Sequence, residues 1–120
     1  MRRRRYLLGA LAALAVLAAH AQEWPARPVK IVAPFPPGGS ADTLARIVAE
    51  RLVGRLGQNF IVENRAGAGG LIGSEFVAKA APDGYTLVVS GVASHVIAPA
   101  MTAAPFDPLR SFTQMFRSSV

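Results

Sequence analysis

Cysteine does not occur in the 120 residues, which excludes disulfide frameworks, thiolate zinc sites and cysteine nucleophiles while leaving the compartment open. Aromatic residues are few, 8% of the chain with a single Trp, and they are not interleaved with basic residues as a base-stacking platform requires. Trp24 is read simply as a packing residue. There is no Gly-x-Ser-x-Gly elbow, no pair of histidines at metal-ligand spacing and no carboxylate cluster, so neither a hydrolase nor a metal site is signalled. Acidic residues are also scarce: seven Asp and Glu against thirteen Lys and Arg give a formal charge of +6. Four of those cations are Arg2 to Arg5. Without them nine basic residues face seven acidic ones, a balance of about +2, and no nucleic-acid partner is indicated.

Arg2 to Arg5 lead into an apolar run from Tyr6 to Ala19 and then Ala19-His20-Ala21, the charged, apolar and small-residue order of a secretory signal cleaved after Ala21. The run is shorter than the roughly 20 residues a membrane-spanning helix needs. Residues 1–21 are therefore expected to direct export to the periplasm and to be removed. Arg3-Arg4-Arg5-Tyr6-Leu7-Leu8 also loosely resembles a twin-arginine signal, so two export routes remain open.

After the leader, Val29 to Ala33 is a short β-branched run ended by Pro34-Phe35-Pro36-Pro37-Gly38-Gly39, and it reads as a first strand. Ser40 is placed to cap a helix in which Leu44, Ile47, Val48, Leu52 and Leu56 recur at helical spacing, with Gly57 closing it. Phe60 to Glu63 repeats the strand signal. Asn64 to Gly70 repeats the glycine-rich turn before a second helix over about residues 71–80, and Pro82-Asp83-Gly84 turns the chain again. Thr86 to Ser90 is the most apolar of the three strands, as expected for one buried on both faces. A loop from Gly91 to Ser94 then enters a third short helix. Alternating strands and helices at roughly 30-residue spacing predict an α/β layered fold with a mostly parallel sheet flanked by helices. From Thr102 onward no strand extends the pattern.

In such a sheet the loops after Ala33, Glu63 and Ser90 converge on one edge, which makes that edge the candidate site. Pro37-Gly38-Gly39-Ser40 and Gly67-Ala68-Gly69-Gly70 let a ligand approach the main chain, where the amides opening the next helix favour an anion. Each loop alone is ordinary turn punctuation; two at equivalent positions carry more weight. Ser40 serves as a cap or also offers a hydroxyl. Asp42 falls in the first helical turn, where a carboxylate complements the dipole. Arg65 either meets a carboxylate in a forked geometry or is a solvated surface group. Ser94 beside His95 makes no triad, because neighbouring helical side chains do not face each other. The chemical rival is a dinucleotide-binding oxidoreductase fragment: Gly67-x-Gly69 follows a strand and opens a helix, but the third glycine is displaced to Gly73 and no acidic residue ends the next strand.

Trp24-Pro25-Ala26-Arg27-Pro28-Val29, Pro34 to Asp42, Leu56-Gly57-Gln58, Val62 to Gly70 and Ala81 to Leu87 closely resemble the extracytoplasmic solute-binding proteins of tripartite tricarboxylate transporters, the Bug family. The resemblance implies the first lobe of a type II periplasmic binding-protein fold, a non-enzymatic role without cofactor, a small carboxylate solute and membrane transporter subunits as partners. It carries ligand contact onto Pro37, Gly38, Gly39, Ser40 and Asp42, onto Ala66, Gly67, Ala68, Gly69 and Gly70, and onto Ser90, Ser94 and His95. Ala66 stands where many relatives have Pro, which should only loosen the turn. The resemblance covers about residues 24–113. Residues 22–113 are thus expected to form one lobe, 114–120 to be a divergent tail, and the second lobe to be missing by truncation. Binding by one lobe is expected to be impaired, with a nonfunctional fragment or a protein-interaction module as the alternatives.

Overall fold

The computed structural model describes residues 23–115, so the expected leader and the last part of the expected tail, residues 116–120, lie outside the described residues. Three strands, β1 (Val29–Ala33), β2 (Phe60–Asn64) and β3 (Thr86–Val88), alternate with helices. Helix α1 (Ser40–Leu56) follows β1. A 3-10 turn (Ala68–Gly70) and α2 (Leu71–Ala78) follow β2, and a π-helical segment (Ala93–Ile97) running into α3 (Ala98–Met101) follows β3. The sheet order is β2-β1-β3 and both pairings are parallel, with Val29 opposite Phe60 and Ile31 opposite both Val62 and Leu87. All three strands therefore end on one edge.

Strand side chains alternate between faces, and β1 shows which helix covers each. Val29, Ile31 and Ala33 form one core with Ala45 and Ala49 of α1 and with Phe60. On the other face Lys30 lies over the Phe76 ring of α2, and the backbone of Pro34 lies against Gly73. Helices thus cover opposite faces of a narrow sheet, as the alternating pattern predicts. Trp24 packs edge-on against Phe60, with ring centroids 6.3 Å apart, and lies beside Tyr85 at the opposite edge of the sheet. Among the described residues no helix is long and apolar enough to cross a membrane.

Two expectations are corrected here. The stripe of α1 that meets the sheet is Asp42, Ala45, Ala49 and the half-buried Leu52, whereas Leu44 and Ile47 remain 51% and 52% exposed, and Val48 and Leu56 are exposed too. Small side chains let the helix axis approach the central strand, and the larger ones overhang a sheet too narrow to cover them. Likewise the strand buried on both faces is β1, despite Lys30. The more apolar β3 is an edge strand, half-buried and ending at Val88, with the Val89 amide adding one last bond to the Val32 carbonyl at 3.0 Å. The expected close of α1 is observed: Gly57 takes φ 71° and its amide donates to the Val53 carbonyl at 3.0 Å.

Candidate functional site

The loop after β1 is held in place by one carboxylate. Asp42, buried in the first turn of α1, accepts from the Gly38 amide at 2.9 Å, from Asn64 Nδ2 at 3.1 Å and from Arg46 through Nε and Nη2, both at 3.1 Å. Asn64 Nδ2 also donates to the Phe35 carbonyl at 3.1 Å, joining the end of β2 to the same loop. The Arg46 side chain, the Gly38 amide and Asn64 together hold the Asp42 carboxyl down at about 2, against an ordinary value of 3.8, with burial opposing them. Ser40 is not the cap. Gly39 occupies that position with no side-chain hydrogen bond, and Asp42 organises the helix start instead.

A carboxyl depressed in the folded state adds stability above its unfolded value and loses it as pH falls through the folded value. Asp42→Asn is therefore expected to lower the melting temperature most at neutral pH, with the gap to the unsubstituted protein closing as the pH falls from near 3.8 to about 2. Thermal melts across that range check it. A gap independent of pH contradicts the role given to the charge.

Committed donors narrow the cradle that the glycines were expected to make. The Gly38 amide is taken by Asp42, the Gly39 amide approaches the Pro36 carbonyl at 3.4 Å, and the Gly70 amide donates to the Gly67 carbonyl at 3.0 Å. The first helical bond of α1 is from the Thr43 amide to the Gly39 carbonyl at 2.9 Å, so the amides of Ser40, Ala41 and Asp42 precede any intrahelical acceptor. Ala41 went unnoticed in the sequence because it has no polar side chain. Only its position at the helix start could have marked it.

The loop after β2 runs through four consecutive positive φ angles, Gly67 at 134°, Ala68 at 50°, Gly69 at 66° and Gly70 at 93°. Its neighbours are the other two loops: a Cβ built on Gly70 would lie 2.6 Å from Ser94 Cβ and 3.0 Å from Phe35 Cζ. The three loops therefore meet at Gly70, on one edge, as the parallel topology requires. Ala66 remains exposed. Ala68 is the one non-glycine in this left-handed run. Left-handed backbone costs an L-residue about 1–2 kcal/mol, while added glycine freedom in the unfolded chain takes back roughly 0.4–1 kcal/mol. Ala68→Gly is expected to stabilise by about 0.5 kcal/mol and Ala68→Val to destabilise; chemical denaturation that ranks Val above Gly contradicts this backbone assignment.

The third loop departs from expectation. Ser90 is exposed at the edge, but Ser94 is completely buried, its Oγ accepting from the Gly91 amide at 3.3 Å and lying 3.0 Å from His95 Nδ1. Adjacent side chains meet here because the wide π-helical turn rotates less per residue than an α-helix does. Among the described residues no carboxylate completes a triad, and His95 Nε2 has no partner. His95 instead packs at a tilt against Phe112, with centroids 4.8 Å apart, and lies 6.1 Å from Phe106, and burial lowers its pKa. Both residues support the loop from behind and do not line the cleft.

That cleft has a volume of about 440 Å³. It is lined by Phe35, Ser40, Ala41 and Leu44 on one side of the loops and by residues 89–93 on the other. A second concavity of about 420 Å³ lies along α2 and the start of the loop after β2, lined by Arg65, Ile72, Glu75, Phe76, Lys79 and Ala80. There Arg65 stacks on Phe76 at 3.6 Å and pairs with Glu63 at 2.5 Å, so the carboxylate it meets is the chain's own. Among the described residues no group of His, Asp or Glu could hold a metal ion.

Comparison with known proteins agrees with this architecture. A family described as "Tripartite tricarboxylate transporter family receptor" matches residues 44–119, running past residue 113, where the resemblance was expected to stop. BugT of Bordetella pertussis is 45% identical over 106 residues, 87% of this chain and 32% of that protein. MatC of Rhodopseudomonas palustris, solved with bound malate, superposes with a TM-score of 0.71 at 41% identity over 75% of this chain and 31% of its own. A second R. palustris protein, solved with adipate, gives a TM-score of 0.56 at 46% identity over 57% of this chain and 23% of its own. The chain spans about a third of the length of the curated relatives it matches. The matched proteins are receptors and periplasmic binding proteins, not the oxidoreductases of the dinucleotide alternative. With a family match over more than half its length and a parallel α/β fold shared with the solved members, the chain belongs to the receptor family of the tripartite tricarboxylate transporters.

Proposed function

We propose that residues 22–113 form the lobe of a periplasmic solute receptor that grips the carboxylate of a small metabolite, exported by residues 1–21 and serving a membrane transporter. The observation that carries this is the start of α1: the amides of Ser40 and Ala41 open a 17-residue helix at the rim of the cleft, at its positive end, with no acceptor inside the helix. Ser40 adds a hydroxyl, and Ala66, Ala68 and Gly69 bring a second stretch of exposed chain, anchored by the buried Gly70 beside Phe35. Pro37, Gly38, Gly39 and Asp42 serve this grip indirectly. Asp42 fixes the Gly38 amide and so sets where the helix begins, while Ser94 and His95 support the third loop.

Malate and adipate are bound by the solved relatives, and a carboxylate on the helix start accounts for the preference without any charged side chain in the cleft. Amide resonances of the isotopically labelled chain, titrated with adipate and separately with its neutral diamide, test the reading. Shifts centred on Ser40 and Ala41 with the acid alone are expected. Equal shifts with the diamide, or shifts confined to the Arg65 concavity, reject it.

A further inference from the structure

We propose that residues 103–113 form a strap that neutral His95 holds against the third loop and that a proton on His95 releases. This stands apart from the carboxylate reading above. The strap is a turn closed on itself: the Asp107 carboxylate accepts from the amides of Leu109 and Arg110 at 2.8 and 3.1 Å, the Ser111 amide donates to the Asp107 carbonyl at 2.9 Å, and Ser111 Oγ accepts from the Asp107 amide at 3.0 Å. Within it only Ala104, Phe106, Pro108 and Phe112 are half-buried, and the rest is exposed. The two phenyl rings meet edge to face with centroids 5.5 Å apart, and His95 completes the trio at 6.1 and 4.8 Å. One imidazole is thus the point at which the strap meets the third loop.

That imidazole is poorly placed to carry charge. Nδ1 lies 3.0 Å from the buried Ser94 Oγ, while Nε2 is buried with no partner among the described residues. An imidazolium would bury a charged N–H there with no oxygen to receive it, and tilted phenyl rings give back less than the water it loses. Nothing around it supplies a free counter-charge. Asp107 is committed to the two amides of its own turn, Arg110 has the same sign as an imidazolium, and Glu75 of α2 is paired with Lys79. The rest of the π-helical segment, α3 and the turn at Ala68–Gly70 carry no charged residue. Burial accordingly lowers the His95 pKa from its ordinary 6.5. Because Ser94 is tied to Gly91 and lies beside Gly70, the hold of the strap reaches the point where the three loops meet.

A group whose pKa falls on docking favours the docked state above its free value and ceases to do so as pH drops through the docked one. The ratio of open to docked strap is therefore expected to rise about tenfold for each pH unit from 6.5 down to the docked value of His95. Nuclear Overhauser contacts between the His95 ring and the rings of Phe106 and Phe112, followed in the labelled chain from about pH 7.5 to about pH 5, test this. The contacts are expected at the upper pH and should fade with the midpoint at which His95 titrates. Contacts that survive protonation of His95 overturn the proposal. In His95→Phe, which keeps a ring but takes no proton, the contacts should persist across the range; their loss with falling pH would assign the release to another group and overturn it too. Phe112→Ala is an independent arm that leaves His95 in place. Removing that ring is expected to bring the His95 midpoint back to near 6.5, and a midpoint that stays low means that the strap is not what buries the imidazole.

Discussion

Replacing Gly70 by alanine is expected to destabilise the protein by about 3 kcal/mol and to lower its melting temperature by more than about 10 °C. Two effects add. Gly70 has φ 93°, a conformation that costs an L-residue about 1–2 kcal/mol. The new methyl group would also lie 2.6 Å from Ser94 Cβ and 3.0 Å from the Phe35 ring, and overpacking of this kind costs about 1–3 kcal/mol. Neither neighbour yields easily. Ser94 is fully buried and tied to Gly91, while Phe35 is carried on a loop fixed by Asn64 and Asp42. The variant should therefore relax by parting the three loops, weakening carboxylate binding along with stability. A melting temperature within about 2 °C of the unsubstituted protein would show that the loops do not converge on this residue.

How much of this was legible in the sequence depends on what each residue signals. The limits of β1 and α1 and the closing Gly57 were readable, because proline and glycine act locally and their effects are fixed by the backbone. The rotation of α1 was not. Helical spacing identifies an apolar stripe, but only the contact with β1 decides whether Leu44, Ile47 and Val48 or Ala45 and Ala49 face inward, and there the smaller residues prevail. The central position of β1 was hidden for a related reason: Lys30 lowers its apolarity, yet its ammonium lies 5.4 Å over the Phe76 ring and meets Glu63 at 2.7 Å. At the site, the convergence of loops followed from parallel topology alone. The internal consumption of the Gly38 and Gly70 amides, and the retreat of Ser94 and His95 behind the rim, depend on contacts between residues far apart in sequence.

Gly73→Ala gives the second large effect, and here the sign is the informative part. In an exposed helix this change gains up to about 1 kcal/mol, because alanine is the better helix former. At Gly73 the added methyl would lie 2.8 Å from the Arg65 carbonyl oxygen, 2.8 Å from Pro34 Cβ and 2.9 Å from Pro34 Cα. All three obstacles belong to backbone or to a proline ring, so no side chain can swing aside. Overpacking should exceed the propensity gain, leaving a net loss of about 2 kcal/mol. The third glycine of the displaced dinucleotide-like pattern thus has a purpose that needs no nucleotide: it lets α2 settle against the end of β1, which holds the turn from Gly67 to Gly70 against the other two loops. Equilibrium unfolding in urea measures the difference directly. A gain in stability would mean that α2 stands farther from Pro34 than described, and the placement of the whole second loop would have to be revised with it.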